Sequence, residues 1–198
     1  MPDSDISAAR AALCNAGLKL CVNQGCVVAT QIITRPAPDA HFHITTDTSI
    51  CLRRQSRTLF NISDFNIRPP TADPETDLIY ASNPSLPRER IGFGEGSFHP
   101  SLYPVRIPSV RCFTEACLLN FLREVDGLDR SGSNNMLRYD PCFLSMVLYM
   151  VTYVYRSGVF NTDSLPPRFI DFVNAIITGD PPFQVAREKL IASEGQNV

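Results

Sequence analysis

Residues 140–158, DPCFLSMVLYMVTYVYRSG, form the stretch from which we interpret the rest of the chain. Across positions 143–155 only Ser145 and Thr152 are polar, and a helix that is apolar all round is typically buried all round. Gly158 suits the left-handed position that commonly follows the last turn of a helix. The sequence therefore predicts that this segment is the buried central helix of a globular core.

The segments around this helix differ in their periodicity. Short β-branched or alternating runs predict strands at 26–34, 41–46 and 49–60, with a hairpin turn at Asp47-Thr48. Apolar positions at helical spacing predict helices over 5–22, 113–127, 166–179 and 180–190. Because strands and helices are segregated along the chain, we predict an α+β fold. It consists of an N-terminal helix and a small antiparallel β-meander, followed by a C-terminal helical bundle around the central helix.

Length and proline distribution suggest how the chain is organised. At 198 residues it fits a single domain, 1–198. We divide it into a helix and β-meander at 4–68, a long proline-rich loop at 69–108, and a helical half at 109–193. A loop of that length is uncommon in a compact domain unless it has a function.

Composition excludes some classes of protein. The net charge of −2 argues against a general nucleic-acid binder, which usually carries a basic excess. The N-terminus, MPDSDISAARAAL, lacks the basic and apolar regions of a signal peptide. The central apolar run is shorter than the ~20 residues needed to span a bilayer. We therefore expect a soluble intracellular protein, in the cytoplasm or nucleus, with no membrane partner and no cofactor.

Residues 41–52 read HFHITTDTSICL. This stretch resembles the active-site segment of ubiquitin-conjugating enzymes, in which a His-Pro-Asn-Ile run precedes an Ile-Cys-Leu run that holds the catalytic cysteine. The resemblance implies that Cys51 forms a thioester and that His43 occupies the position of the oxyanion-stabilising asparagine. The alternative is a strand whose cysteine belongs to the core.

A second resemblance lies at 103–108, YPVRIP. This run is similar to the Tyr-Pro-x-x-x-Pro turn of RWD domains, which are non-catalytic relatives of the same fold that bind protein partners. The alternative is a rigid extended connector between the loop and the helical half.

We predict no metal site, and the alternative is a zinc site formed by Cys21, Cys26, His41 and His43. Structural zinc is bound by Cys and His side chains that usually come in closely spaced pairs. Two histidines in a His-x-His arrangement on a strand lie on the same face of that strand. The same residues also permit a cysteine hydrolase, in which Cys26 is the nucleophile and His41, His43 or His99 is the base.

The main functional hypothesis is a non-enzymatic protein-interaction or regulatory accessory protein that acts through residues 69–108. A viral accessory protein would belong to this class. The predicted binding residues are Arg53, Arg57, Arg88, Arg90, Tyr103 and Arg106, because Arg recognises carboxylates and phosphates bidentately. The expected partner is another protein, either an acidic one or a second copy of the chain. The alternatives are thioester transfer by Cys51 and a subunit of a larger structural assembly.

Overall fold

The computed structural model describes residues 1–23, 25–30, 38–46, 48–62, 77–87, 89–90, 94–102, 105–130 and 142–194. Side chains at 29–30, 89–90, 94–95, 124–130, 142 and 194 lie outside this description. The chain divides into two compact units. The first comprises Met1–Ile67 and Leu128–Cys142, and the second comprises Arg68–Gly127 and Phe143–Val198. The prediction of a single domain stays a prediction.

The first unit combines short helices with one β-hairpin. After a 3-10 turn at Asp3–Asp5, its elements are α1 (Ile6–Asn15), α2 (Val27–Thr30), β1 (Ala40–His43), β2 (Ser49–Leu52) and α3 (Gln55–Thr58). Strands β1 and β2 are antiparallel, so that His41 lies opposite Cys51 and His43 opposite Ser49. Leu20 forms an isolated bridge with Phe42, whose side chain is completely buried.

Two strand predictions in this unit need correction. The run at 26–34 forms helix α2 at Val27–Thr30, and 31–34 lie outside the described residues. The strand predicted at 49–60 ends at Leu52. There the Asp39 carboxylate accepts the backbone N–H of Arg54 at 3.0 Å and the chain turns into α3. A short apolar run does not by itself distinguish a strand from a helix, so local contacts determine which structure forms.

The second unit contains four longer helices and two pairs of short strands. Its elements are β3 (Leu78–Tyr80), β4 (Glu89–Arg90), β5 (Gly94–Glu95), β6 (Arg106–Pro108), α4 (Val110–Arg130, in this unit as far as Gly127), α5 (Cys142–Tyr149, in this unit from Phe143), α6 (Pro167–Thr178) and α7 (Phe183–Glu194). Strand β3 pairs with β6 and β4 with β5, both antiparallel. The described part of 69–108 therefore contains β-structure rather than loop alone. The α+β class is confirmed.

Helix α5 continues as a π-helix over Met150–Tyr155, and this continuous segment is buried along one face only. Its buried residues are Phe143, Val147, Met150 and Val151. Leu148, Tyr153 and Tyr155 are exposed, so the prediction of burial on every side is wrong. Tyrosine counts as apolar in a sequence pattern, yet its hydroxyl allows one edge of the ring to face water.

The core of the second unit is centred on aromatic side chains of α4, α6 and α7. Phe121 stacks on Phe172 with 6.0 Å between ring centroids, and Phe183 packs against Phe172 at 5.6 Å. Helix α6 ends at Gly179, whose φ of 76° is the left-handed cap that the sequence predicts. Nowhere in the described part of the chain does a helix have the length and apolar character needed to cross a membrane.

Candidate metal centre

The segment that contains Cys21 and Cys26 lies beside strand β1. The backbone N–H of Cys21 donates to the carbonyl of His41 at 3.0 Å. Beyond Cys21 the side-chain oxygen of Asn23 accepts the N–H of Gly25 at 2.9 Å, and the N–H of Cys26 donates to the Asn23 carbonyl at 3.1 Å. This turn reverses the chain and brings the Cys26 thiol back to strand β1, beside which Cys21 also lies.

Strand β1 supplies the two histidines. Successive side chains of a strand point to opposite faces, so His41 and His43 share one face while Phe42 packs into the core on the other. The two imidazoles meet edge to face, with 5.4 Å between ring centroids. The Nε2 atom of each histidine lies 3.3 Å from the Sγ of Cys26.

The four donor atoms of Cys21, Cys26, His41 and His43 all lie within 4.8 Å of one another. In a tetrahedral zinc site, Zn–S bonds of about 2.3 Å and Zn–N bonds of about 2.0 Å place sulfur and nitrogen about 3.5 Å apart. The two measured sulfur–nitrogen distances of 3.3 Å are close to this value. The cluster therefore has the composition of a Cys₂His₂ zinc site, and its two measured sulfur–nitrogen distances fit such a site.

The surroundings of His41 favour the neutral form of its imidazole, which is the form that binds metal. His41 is buried, and its burial lowers the pKa of the imidazole, with a smaller effect in the same direction from His43. A lowered pKa keeps the imidazole neutral at physiological pH, as a metal ligand must be. Both cysteines are half-buried and His43 is exposed, so one side of the cluster faces solvent.

Cys51 lies on the same face of the hairpin as the two histidines, directly opposite His41. It is half-buried, and its thiol is 3.9 Å from the hydroxyl of Ser49. The hydrogen-bond contacts of both imidazoles are with Cys26 instead. The structure therefore places His43 with Cys26, and catalysis by Cys51 stays a prediction.

The predicted binding residues fall into both units. Arg57 lies on helix α3, 3.9 Å from the Asp39 carboxylate, and not on the strand predicted at 49–60. Arg106 lies on β6, opposite Tyr80. Arg88 and Tyr103 lie outside the described residues, as does the side chain of Arg90. Binding by these six residues stays a prediction.

Sequence reasoning identified the four clustered residues but gave no means of ranking them above the other cysteines. It missed the role of Asp39, whose buried carboxylate is 3.0 Å from the guanidinium of Arg54. It also did not identify Phe98, Leu102 and Val105 as exposed apolar residues, because exposure depends on tertiary packing.

No protein-family model, curated protein or solved structure matches this chain at a significant level. The resemblances to ubiquitin-conjugating enzymes and RWD domains gain no support from these comparisons. Among the described residues, the cluster of Cys21, Cys26, His41 and His43 brings two thiols and two imidazoles together.

Proposed function

We propose that this chain is a non-enzymatic interaction protein whose first unit binds one zinc ion through Cys21, Cys26, His41 and His43. The observation that carries the proposal is the convergence of two thiols and two imidazoles within 4.8 Å. These residues come from separate segments of the sequence, a turn and a strand, so their proximity is a product of folding.

The chemistry of the ligands favours zinc over other common cations. Thiolate and imidazole ligands in a tetrahedral arrangement are typical of zinc, whereas magnesium and calcium require oxygen ligands. Four protein ligands complete a tetrahedral coordination shell. A catalytic zinc usually keeps one position for water or substrate, so a complete shell supports a structural role.

The small hydrophobic core of the first unit also supports a structural metal. The buried apolar residues among its described side chains are Ile6, Ala40, Phe42 and Ile62. Small folds with little core are commonly stabilised by a disulfide or a structural metal. The structure has Cys14, Cys21, Cys26 and Cys51 of this unit as thiols rather than disulfides.

The test is to measure zinc in the purified protein by elemental analysis and to titrate the metal-free protein with zinc. We expect one zinc per chain in the wild type. Cys26→Ser should weaken binding by more than about 100-fold, since even losing a partner of a ligand costs 10–100-fold. Cys14→Ser is the matched control, because Cys14 lies exposed on α1.

Substituting cobalt for zinc tests the geometry, since tetrahedral cobalt with thiolate ligands absorbs strongly in the visible range. The wild type and Cys14→Ser should both give this spectrum, and Cys26→Ser should change it. Equal zinc binding by the wild type and Cys26→Ser would contradict the proposal.

A second candidate is thiol chemistry at Cys26, which the 3.3 Å contacts to two imidazoles favour. A histidine at hydrogen-bond distance can take the proton of a nucleophilic thiol. The two functions respond to zinc in opposite ways. Zinc should block an activated ester probe from acylating Cys26, so turnover of the probe by zinc-loaded protein would favour the enzyme.

The interaction part of the proposal is supported by Phe98, Leu102 and Val105 in the second unit. These residues are 49%, 56% and 40% exposed, and all three lie in the predicted binding segment 69–108. Proximity labelling in cells compares the wild type with Phe98→Ser/Leu102→Ser. The proposal predicts that specific neighbours disappear from the variant's labelled set, and identical sets would contradict it.

A further inference from the structure

We propose that Cys21 and Cys26 are a redox-sensitive thiol pair, which hydrogen peroxide joins as a disulfide that cannot coordinate zinc. The inference rests on the proposed function, because zinc is the ligand that the disulfide displaces. It adds a mode of regulation to the same site, in which oxidation releases the metal and weakens the unit that the metal holds.

The positions of the two thiols favour this bond. Their Sγ atoms are at most 4.8 Å apart, and a disulfide requires about 2.0 Å, so the sulfurs must approach by less than about 3 Å. Only four residues separate the two cysteines, and they include Gly25. Glycine is conformationally permissive, which favours the adjustment of the chain between the two cysteines.

Access from solvent also favours oxidation at this pair. Both cysteines are half-buried, so a small oxidant reaches them from solvent. By contrast, Cys112 and Cys117 are buried in the second unit.

The reaction balances with peroxide as the oxidant. One thiolate attacks a peroxide oxygen, the O–O bond breaks, and a sulfenic acid forms with release of hydroxide. The second thiolate then attacks the sulfenic sulfur, the S–S bond forms, and a second hydroxide leaves. Two protons convert both hydroxides to water. The sulfurs together lose two electrons to the peroxide, and the zinc ion is released.

Cys51 is the competing thiol, since it lies on the same hairpin face opposite His41. Trypsin cleaves after Lys19 and Arg53 and does not cleave the Arg35-Pro36 bond, so Cys21, Cys26 and Cys51 remain on one fragment, 20–53. The experiment therefore uses Cys51→Ser. In that variant an internal disulfide in the fragment can join only Cys21 to Cys26.

Zinc-loaded wild type and Cys51→Ser are treated with peroxide while a colorimetric chelator reports released zinc. Both proteins are then alkylated, digested and analysed by mass spectrometry. We expect fragment 20–53 of Cys51→Ser to become two hydrogen atoms lighter and unalkylated at both remaining thiols. One zinc should be released per disulfide, and a thiol reductant followed by zinc should restore the starting state.

Cys14→Ser should behave as the wild type, whereas Cys21→Ser, in which the pair is incomplete, should form no disulfide in the Cys51→Ser background. A protein that never binds zinc would overturn the proposed function, and with it the release of metal. A zinc-loaded protein whose two thiols stay reduced in peroxide, or that retains zinc after the disulfide forms, would overturn the redox proposal alone. Pairing of Cys51 with either thiol in the wild type would also overturn it.

Discussion

Twenty apolar residues are buried in the unit that contains α6 and α7, against four in the unit that contains the β1–β2 hairpin, counting only described side chains. Size alone does not explain the difference, because the described part of the first unit is more than half as long as that of the second. The second unit encloses stacked aromatic rings, whereas the first holds a cluster of thiols and imidazoles.

This contrast shows two ways of stabilising a small fold. Burying apolar area stabilises a unit in proportion to that area, at roughly 25 cal/mol per Å². A structural metal instead links a few side chains, and its binding free energy adds to that of folding. We therefore expect the two units to respond differently to the same treatment.

Removing zinc should cause the largest loss of stability, and this loss should be confined to the first unit. Zinc-finger peptides gain about 10–16 kcal/mol on binding zinc, which is comparable to the whole stability of a small domain. Hydrogen exchange measured by mass spectrometry before and after chelation should show lost protection at Ala40–His43 and Ser49–Leu52. Helix α6 should keep its protection, and equal loss in both units would contradict the contrast.

Phe172→Ala should weaken the second unit while leaving zinc binding intact. Phe172 is buried between Phe121 and Phe183, and truncating a buried phenylalanine typically costs about 3–5 kcal/mol. Urea unfolding followed by circular dichroism measures the loss, and zinc titration checks the first unit. Phe98→Ala, at an exposed position, is the matched control and should change stability by about 0.5 kcal/mol or less.

Asp39→Ala should have a smaller effect, confined to the first unit. The Asp39 carboxylate is largely buried, accepts a hydrogen bond from the backbone N–H of Arg54 and forms an ion pair with its guanidinium. Losing a charged hydrogen bond of this kind costs about 1–3 kcal/mol.

The matched control is Asp171→Ala in the second unit. Asp171 forms a 2.7 Å ion pair with Lys189, but both side chains are about 70% exposed. Exposed pairs contribute less than about 1 kcal/mol, so the two alanine variants compare a buried carboxylate with an exposed one. Urea unfolding should show that Asp39→Ala is the more destabilised variant. The reverse order would show that burial does not determine how much each carboxylate contributes to stability.

The parts of the fold that the sequence predicted correctly are those with long, repeated patterns. Helix α6 shows one apolar stripe over three turns and ends at Gly179, so periodicity and capping agree. The hairpin follows from alternation around a turn in which the N–H of Ile44 donates to the carbonyl of Thr48. In each case local preference and tertiary packing favour the same structure.

The predictions that failed concern segments in which tertiary contacts override local pattern. The run Val27–Thr30 is β-branched and yet helical, directly after Cys26 turns toward the histidines. Composition also cannot reveal that Leu148 on α5 is exposed. The four ligands were identified from residue type, but their convergence depends on a turn at 23–26 whose geometry the spacing alone does not specify.

Cys51→Ser should have the smallest effect and is the most informative about the site. Cys51 lies opposite His41, yet Cys21, Cys26, His41 and His43 already provide four ligands. Serine is similar in size to cysteine, so we expect one zinc per chain, an unchanged cobalt spectrum, and a change in stability of about 0.5 kcal/mol or less.

If Cys51→Ser instead lost zinc, Cys51 would be a ligand and the cluster would have to rearrange around it on metal binding. A thioester formed by the wild type with an activated ubiquitin-like donor, and absent from Cys51→Ser, would establish the enzymatic alternative. A zinc ligand, a catalytic nucleophile and a thiol with neither role would each give a different combination of results in the two measurements. Zinc titration and thioester formation together therefore assign the role of Cys51.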